Sequence, residues 1–218
     1  MKIAIDGPAG AGKSTLARAL ARKLGFLYID TGAMYRALTW KALQKGIDLY
    51  DACALNELAA STDIHFETKV GVQRLHCDGI DVTQVIRSPE VSCEVSKTAS
   101  HSAVREIMVQ KQQLMAQTSN VVMDGRDIGE LVLPDAEFKF FLTADLEERV
   151  QRRALEMENQ GYHITSNSIK KDIQTRDRMD TDRDMGALKV LADSIVIDTG
   201  QRSVDEVLTQ ILSIIGEG

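Results

Sequence analysis

The sequence predicts an α/β fold in three layers, α/β/α, built on a five-stranded parallel sheet with helices on both faces. Three observations predict it. Five short runs, KIAID (2–6), FLYID (26–30), NVVMD (120–124), FKFFL (138–142) and SIVID (194–198), have the length and near-continuous apolar character of strands buried on both sides. Segments of helical character lie between them, as crossovers between parallel strands require. The first run also passes through a glycine-rich loop directly into a helix, which is the start of a β–loop–α crossover.

Taken in order, the elements read as follows. KIAID enters GPAGAGKST (7–15), which fits G-x-x-x-x-G-K-[ST] with Gly7, Gly12, Lys13 and Ser14 on its fixed positions. In STLARALARKLG the apolar residues Leu16, Ala19, Leu20 and Leu24 recur at helical spacing, and Gly25 is a stop signal. After FLYID, a helix is predicted from about Ala33 to Lys45, ended by Gly46, and another from Asp51 to Ser61. Residues 63–82 then change character. The runs IHFE, VQRLHCD and IDV alternate, with Asp78-Gly79 as a turn, and predict a small antiparallel sheet set into a helical region. Two helices follow, Pro89–Ser100 and Ala103–Gln117. A polar, arginine-bearing stretch from Asp145 to Arg183 separates the last two strands, and an amphipathic helix, about Ser203–Ile215, closes the chain.

The 218 residues suffice for one large domain or one domain with small insertions. With 44% hydrophobic but only 5% aromatic residues, the core is expected to be aliphatic. No run approaches the roughly 20 apolar residues needed to cross a bilayer, and MKIAIDG enters a strand at once, without the pattern of a signal peptide. A soluble, cytoplasmic protein is expected. Cys53, Cys77 and Cys93 are scattered, and with His65, His76, His101 and His163 they form no ligand spacing, so reduced structural thiols are expected. A net charge of −6 disfavours a broad nucleic-acid surface, though not a local basic pocket. No repeat, low-complexity segment or linker is evident.

The chemistry begins at the loop. Its glycines let backbone N–H groups wrap phosphate oxygens, and the helix N-terminus behind favours negative charge. Lys13 can reach the β- and γ-phosphates, and the Ser14 hydroxyl can ligate Mg²⁺, which prefers oxygen. A nucleoside triphosphate with Mg²⁺ is expected. In DTGAMYR (30–36), Thr31 stands at the carboxyl end of a strand, where open α/β sheets bind ligands, and Arg36 is placed to face the same crevice. The alternative is that Thr31 caps the helix and Arg36 is solvated. DGRDIG (124–129) follows a buried strand: Asp124 suits the metal's surroundings, Arg126 suits phosphate, and Asp127 suits a base or sugar. The alternative is a surface turn with an internal ion pair. The polar stretch carries Arg149, Arg152, Arg153, Arg176, Arg178 and Arg183. The first three lie on neighbouring faces of one helix and either point at a common anion or form a solvated face. Because phosphoryl transfer spreads charge that cations must neutralise, the stretch also suits a mobile lid that excludes water.

These residues together resemble the bacterial cytidylate kinases, among the nucleoside-monophosphate kinases of the P-loop NTPase type. The resemblance rests on IDGPAGAGKST (5–15), DTGAMYR (30–36), the register from Ser96 to Arg105, DGRDIG (124–129) and RDxxDxxR (176–183), in the family's order and spanning most of the chain. It implies a single kinase domain with a core (about 1–62, 103–148 and 184–218), an enlarged monophosphate-binding insert holding the small sheet (about 63–102) and a short lid (about 149–183). It implies transfer of the γ-phosphoryl group of ATP to CMP or dCMP, by a monomer acting on small molecules. Gly7, Pro8, Ala9, Gly10, Ala11, Gly12, Lys13, Ser14 and Thr15 would hold the ATP phosphates, and Ser14 and Asp124 would serve Mg²⁺. Arg36, Arg126 and Arg183 would hold the CMP phosphate. Ser96, Arg105 and Asp127 would read cytosine, Asp180 and Arg176 would lie at the sugar, and Thr31 stands where the family commonly has serine. Lys13, Arg126 and Arg183, with Arg149 and Arg153 from the lid helix, would be catalytic.

Three rivals differ in recognisable ways. A GTPase switch would carry N-K-x-D, which is absent. An adenylate, thymidylate or shikimate kinase shares the loop and sheet but not the insert paired with DGRD and RDxxDxxR. A nucleotide sensor does not need arginines on both sides of a crevice.

Overall fold

The computed structural model describes residues 1–69 and 72–216. Residues 70 and 71, inside the stretch read as a small sheet, and 217 and 218, at the end of the segment read as core, lie outside the described residues. In chain order the elements are β1 (Lys2–Asp6), α1 (Lys13–Leu24), β2 (Leu27–Asp30), α2 (Thr31–Gln44), α3 (Ala52–Ser61), β3 (Ile64–Lys69), β4 (Val72–Cys77), β5 (Ile80–Asp81), α4 (Pro89–Ser100), α5 (Ser102–Met115), β6 (Val121–Gly125), β7 (Phe138–Thr143), α6 (Leu146–Asn159), α7 (Ser166–Thr181), β8 (Ile195–Asp198) and α8 (Val204–Gly216). A 3-10 turn at Val85–Arg87 and a π-helical turn at Ile128–Val132 complete them.

All five expected apolar strands form one sheet, in the order β2-β6-β1-β7-β8. Strand β1 runs parallel to β6, with Ile5 opposite Asp124, and to β7, with Asp6 opposite Phe141. Strand β7 in turn runs parallel to β8, with Thr143 opposite Asp198. The chain divides into two units, Met1–Tyr28 with Ala116–Gly218, and Ile29–Met115.

The first unit is built on an aliphatic layer, as composition demands. Ile3, Ile5, Val122, Phe140, Leu142 and Ile197 from the strands pack with Leu16, Leu20, Val207 and Ile211 from α1 and α8. Burial of such side chains stabilises by about 1.5–3 kcal/mol each. The polar stretch between β7 and β8 becomes two helices. They meet through Val150, Ile169 and Ile173, with Leu146 and Ala154 against them, so α6 and α7 have a small apolar seam of their own.

In the second unit α2 packs against α4 and α3 against α5. The small sheet is present, in the order β3-β4-β5, with β3 and β4 antiparallel and Ile64 opposite Cys77. Helix α2 begins at Thr31 rather than about Ala33 because the Asp30 carboxylate accepts the Ala33 N–H at 2.7 Å and caps it two residues earlier. The turn at Val85–Arg87 has too few residues to give a periodic signal. No helix among the described residues is long and apolar enough to cross a membrane.

Candidate active site

Helix α1 opens on Gly12, in the left-handed region at φ 84°, and no side chain caps it. Its first N–H groups are therefore left for a ligand, and the helix dipole favours an anion there. Lys13 is buried and donates from Nζ to the Pro8 carbonyl at 2.7 Å, which folds its side chain back over the loop. Burial, and then repulsion from Arg126, hold the Lys13 pKa well below the usual lysine range, partly offset by Asp124, Asp180 and Asp6. A bound polyphosphate would relieve both costs. Ser14 Oγ donates to Asp124 Oδ2 at 2.7 Å, and the Tyr28 hydroxyl donates to Asp124 Oδ1 at 2.8 Å. Ser14 and Asp124 thus form an oxygen pair at the loop, a donor set that suits Mg²⁺, which usually takes one or two protein ligands and completes its shell with phosphate and water.

The DGRDIG segment is not a surface turn. Asp124 and Asp127 are buried, and Arg126 is mostly so. Arg126 does not pair within the turn. It reaches across sequence to α7, where Nε donates to Asp180 Oδ2 at 2.6 Å, while Arg183 donates to Asp180 Oδ1. Burial alone would depress the Arg126 pKa, but Asp180, together with Asp177 and Asp124, outweighs it and holds the guanidinium above its ordinary value. By the same pairing the Asp180 carboxyl is held below the usual range, against its own burial. Arg176 has no ion pair among the described residues, and its Nε is buried without a hydrogen bond. Burial and the neighbouring charge of Arg126 push its pKa down. Lys13, Arg126, Arg176 and Arg183 gather about Asp180, and although Asp6, Asp124, Asp172 and Asp177 also act on them, Arg126 repels both Lys13 and Arg176, a cost that a bound anion would offset.

The structure adds a residue that motif reading passed over. The Asp6 carboxylate, at the end of β1, accepts the Ile128 and Gly129 N–H groups, each at 2.9 Å, and so holds the backbone after DGRD. An apolar strand closing on a carboxylate recurs in β1 at Asp6, β2 at Asp30 and β8 at Asp198, with Asp124 one residue before the end of β6, and this was the available signal. Burial, assisted by Asp127, pushes the Asp6 pKa from its ordinary 3.8 to about 6, against the two N–H donors and Lys13. A raised acid pKa means that the folded state binds the proton more tightly. The contribution of Asp6 to stability is thus greatest below about pH 4 and is lost as pH rises through about 6, by about 3 kcal/mol in all. Urea unfolding of the wild type and of Asp6→Asn, compared at about pH 4.5 and about pH 7.5, should show the wild type losing stability relative to the variant, since the other titrating groups, Lys13 among them, are common to both. A stability difference between the two that does not change with pH would refute the assignment.

The lid-helix arginines are not a solvated face; each is held by partners of its own. Arg149 is buried and donates from Nε to the Ala144 carbonyl at 3.1 Å and from Nη1 to the Ala9 carbonyl at 3.0 Å and to Asp177. Arg152 donates to Thr199 through its hydroxyl, at 2.9 Å, and its carbonyl. Arg153 pairs with Glu156 at 2.7 Å. Arg149 and Arg152 both border the loop. A Cβ built on Gly10 would lie 3.0 Å from the Arg149 Cβ, and one on Gly12 would lie 3.8 Å from Arg152 Nη1.

In the second unit, Asp30 rather than Thr31 caps α2, and Arg36 is not solvated. Its Nη2 pairs with Asp30 Oδ2 at 3.2 Å. Arg87, in the 3-10 turn, approaches the same oxygen at 3.6 Å, so one buried carboxylate gathers two guanidinium groups. No motif marked Arg87. Thr31 and Ser96 are buried, on α2 and α4. Arg105 is buried on α5, donates to the Ala99 carbonyl at 3.2 Å and lies over the Tyr35 ring at 5.5 Å.

Known proteins were compared with the chain. The family model described as cytidylate kinase matches residues 3–217. A cytidylate kinase of Shouchella clausii is 50% identical over 215 residues, covering 99% of this chain and 96% of the relative. Cytidylate kinases of Pelotomaculum thermopropionicum and Desulforamulus reducens are each 51% identical, covering 99% of this chain and 96% and 97% of their own. Among solved structures, an uncharacterised protein from Eubacterium ventriosum aligns over 100% of this chain and 99% of its own, with a TM-score of 0.56 and 15% identity, a likeness of fold alone. With the motifs in their expected order, the loop formed and the match running nearly end to end, this chain belongs to the cytidylate kinase family.

Proposed function

We propose that the protein transfers the γ-phosphoryl group of ATP to CMP or dCMP, giving ADP and CDP or dCDP in pyrimidine nucleotide metabolism. The observation that carries the reading is the cluster within the first unit: a phosphate loop ending in Lys13, with Arg126, Arg176 and Arg183 grouped around Asp180 in the same field. A hydrolase or a switch needs the loop, but not a second group of cations for another anion.

In this reading Gly7 to Thr15 cradle the ATP phosphates and Lys13 follows the transferred group. Bound Mg²⁺, held through Ser14 and Asp124, would neutralise charge on the β- and γ-oxygens. Arg126, Arg183 and Arg36 hold the acceptor phosphate. Ser96, Arg105 and Asp127 read the cytosine edge, whose N4 amino group donates and whose O2 and N3 accept. Asp180 and Arg176 serve the sugar; since two arginines use Asp180, sugar hydroxyls would donate to its remaining lone pairs. Arg149 and Arg153 add charge at the transferred group. The attacking atom is already a phosphate oxygen, so positioning and charge stabilisation carry the step without a general base. We assign 63–102 to the monophosphate-binding insert and 149–183 to the lid, and we expect a cytoplasmic monomer.

The test is a panel of nucleoside monophosphates with Mg-ATP, following ADP. CMP and dCMP are expected to be the best acceptors, with UMP slower and purine monophosphates inert. ATP hydrolysis at the same rate with and without an acceptor would overturn the kinase reading.

A further inference from the structure

One acid of the RDxxDxxR segment has no part in the substrate reading. Asp177, on α7, accepts the Ala9 N–H through Oδ1 at 3.0 Å and the Arg149 guanidinium through Oδ2. Arg149 Nη1 also donates to the Ala9 carbonyl at 3.0 Å, and Nε to the Ala144 carbonyl. The Ala9 peptide, the Asp177 carboxylate and the Arg149 guanidinium therefore close a ring, with both polar groups of one phosphate-loop residue in it. The backbone of α6 is pressed against the same loop: a Cβ at Gly10 would lie 3.1 Å from the Arg149 carbonyl oxygen.

We propose that Asp177 is a positioning residue for phosphoryl transfer. It fixes Arg149 against the phosphate loop before substrate binds. A guanidinium has five N–H donors in a rigid fork. Here Nε and Nη1 are committed to Ala144, Ala9 and Asp177, which leaves the Nη2 edge for a phosphate. An arginine that is free in solution must give up rotamer freedom, worth up to about 2 kcal/mol, to meet a transient charge. Held this way, it has done so beforehand, which is the condition for electrostatic preorganisation. The Asp177 carboxylate also balances the buried charge of Arg149 while the loop is empty. The proposal rests on the reading of Arg149 as a contact of the transferred group.

The bland role is a structural clip between α7 and the loop. The apolar seam of Val150, Ile169 and Ile173 already holds α6 to α7, so removal of one carboxylate should leave the fold in place. Steady-state kinetics with Mg-ATP and CMP on Asp177→Ala, Asp177→Asn, Arg149→Ala and the Asp177→Ala/Arg149→Ala double variant, together with thermal midpoints, separate the roles. Arg149→Ala should lower kcat about a hundredfold or more. Asp177→Ala should lower kcat by about tenfold to a hundredfold, with KM for CMP within about twofold and the midpoint little changed. The double variant should be no slower than Arg149→Ala within about threefold, because Asp177 acts only through Arg149. Asp177→Asn, which keeps the shape and one acceptor, should be intermediate, and it carries the test if the alanine variant does not fold. A slow Arg149→Ala beside a normal kcat in Asp177→Ala, or two effects that multiply in the double variant, overturns the inference alone. Wild-type kcat in Arg149→Ala overturns the reading of Arg149 as well.

Discussion

Arg126→Ala is expected to fold and to lose about a thousandfold in kcat, with little change in KM for ATP. The folding half of the expectation follows from Asp180. Removing one partner of a buried ion pair commonly costs about 3–5 kcal/mol, because the other charge is stranded. Here the Asp180 carboxylate keeps Arg183, so the cost should be smaller. The kinetic half follows from position. Arg126 is held by a carboxylate on α7 at 2.6 Å and lies close enough to Lys13 to depress its pKa. Two cations in one buried field repel in the empty site and are reconciled by the charge that spreads over a transferring phosphoryl group. A thousandfold corresponds to about 4 kcal/mol of transition-state stabilisation. Lys13→Ala should behave alike. Arg126→Lys should recover little, since an ammonium cannot hold Asp180 and a phosphate with one planar fork. Near-normal turnover in folded Arg126→Ala, measured by coupled ADP release, would remove this residue from the mechanism.

Gly7→Ala should lower stability by about 3 kcal/mol or more and abolish ATP binding. Gly7 follows β1 directly and has φ 148°, where side chains are strained. A Cβ there would lie 2.1 Å from the Leu142 carbonyl oxygen, an impossible distance. That oxygen is backbone of β7, which is paired to β1 through Asp6 and Phe141 and to β8 beyond, so it cannot retreat without opening the sheet. The comparison is Gly25→Ala. Gly25 also has positive φ, at 70°, but nothing lies within 4 Å of the added atom, so only the local strain of about 1–2 kcal/mol applies. Urea midpoints should fall much further for Gly7→Ala, and nucleotide titration should show no saturation. Equal midpoints in the two variants would refute the clash.

The small antiparallel sheet and the helix at Pro89–Ser100 appear where the pattern of residues placed them, the helix with the expected bounds. Such features are legible because they rest on local physics: alternation over a few residues, or an N-cap serine before a proline. Boundaries set by side chains from outside the period were less legible. Asp30 capping α2 from the end of a strand moved its start to Thr31. The stretch from Asp145 to Arg183 read as a charged surface or lid, because its apolar seam of Val150, Ile169 and Ile173 is sparse among charges.

The linear sequence determined the order of the sheet's strands along the chain, the phosphate loop and its helix, and the family, since each is written in contiguous residues whose spacing carries the signal. It also named most of the charged residues of the site. Only the tertiary structure decided their partners. Arg126 meets Asp180, 54 positions away, rather than its neighbours Asp124 and Asp127. Asp6 holds a backbone turn 122 residues on. Arg149 and Asp177 close a ring on Ala9. The physical reason is that charge pairing in a buried field depends on distance through space and on desolvation, and neither is a function of separation along the chain.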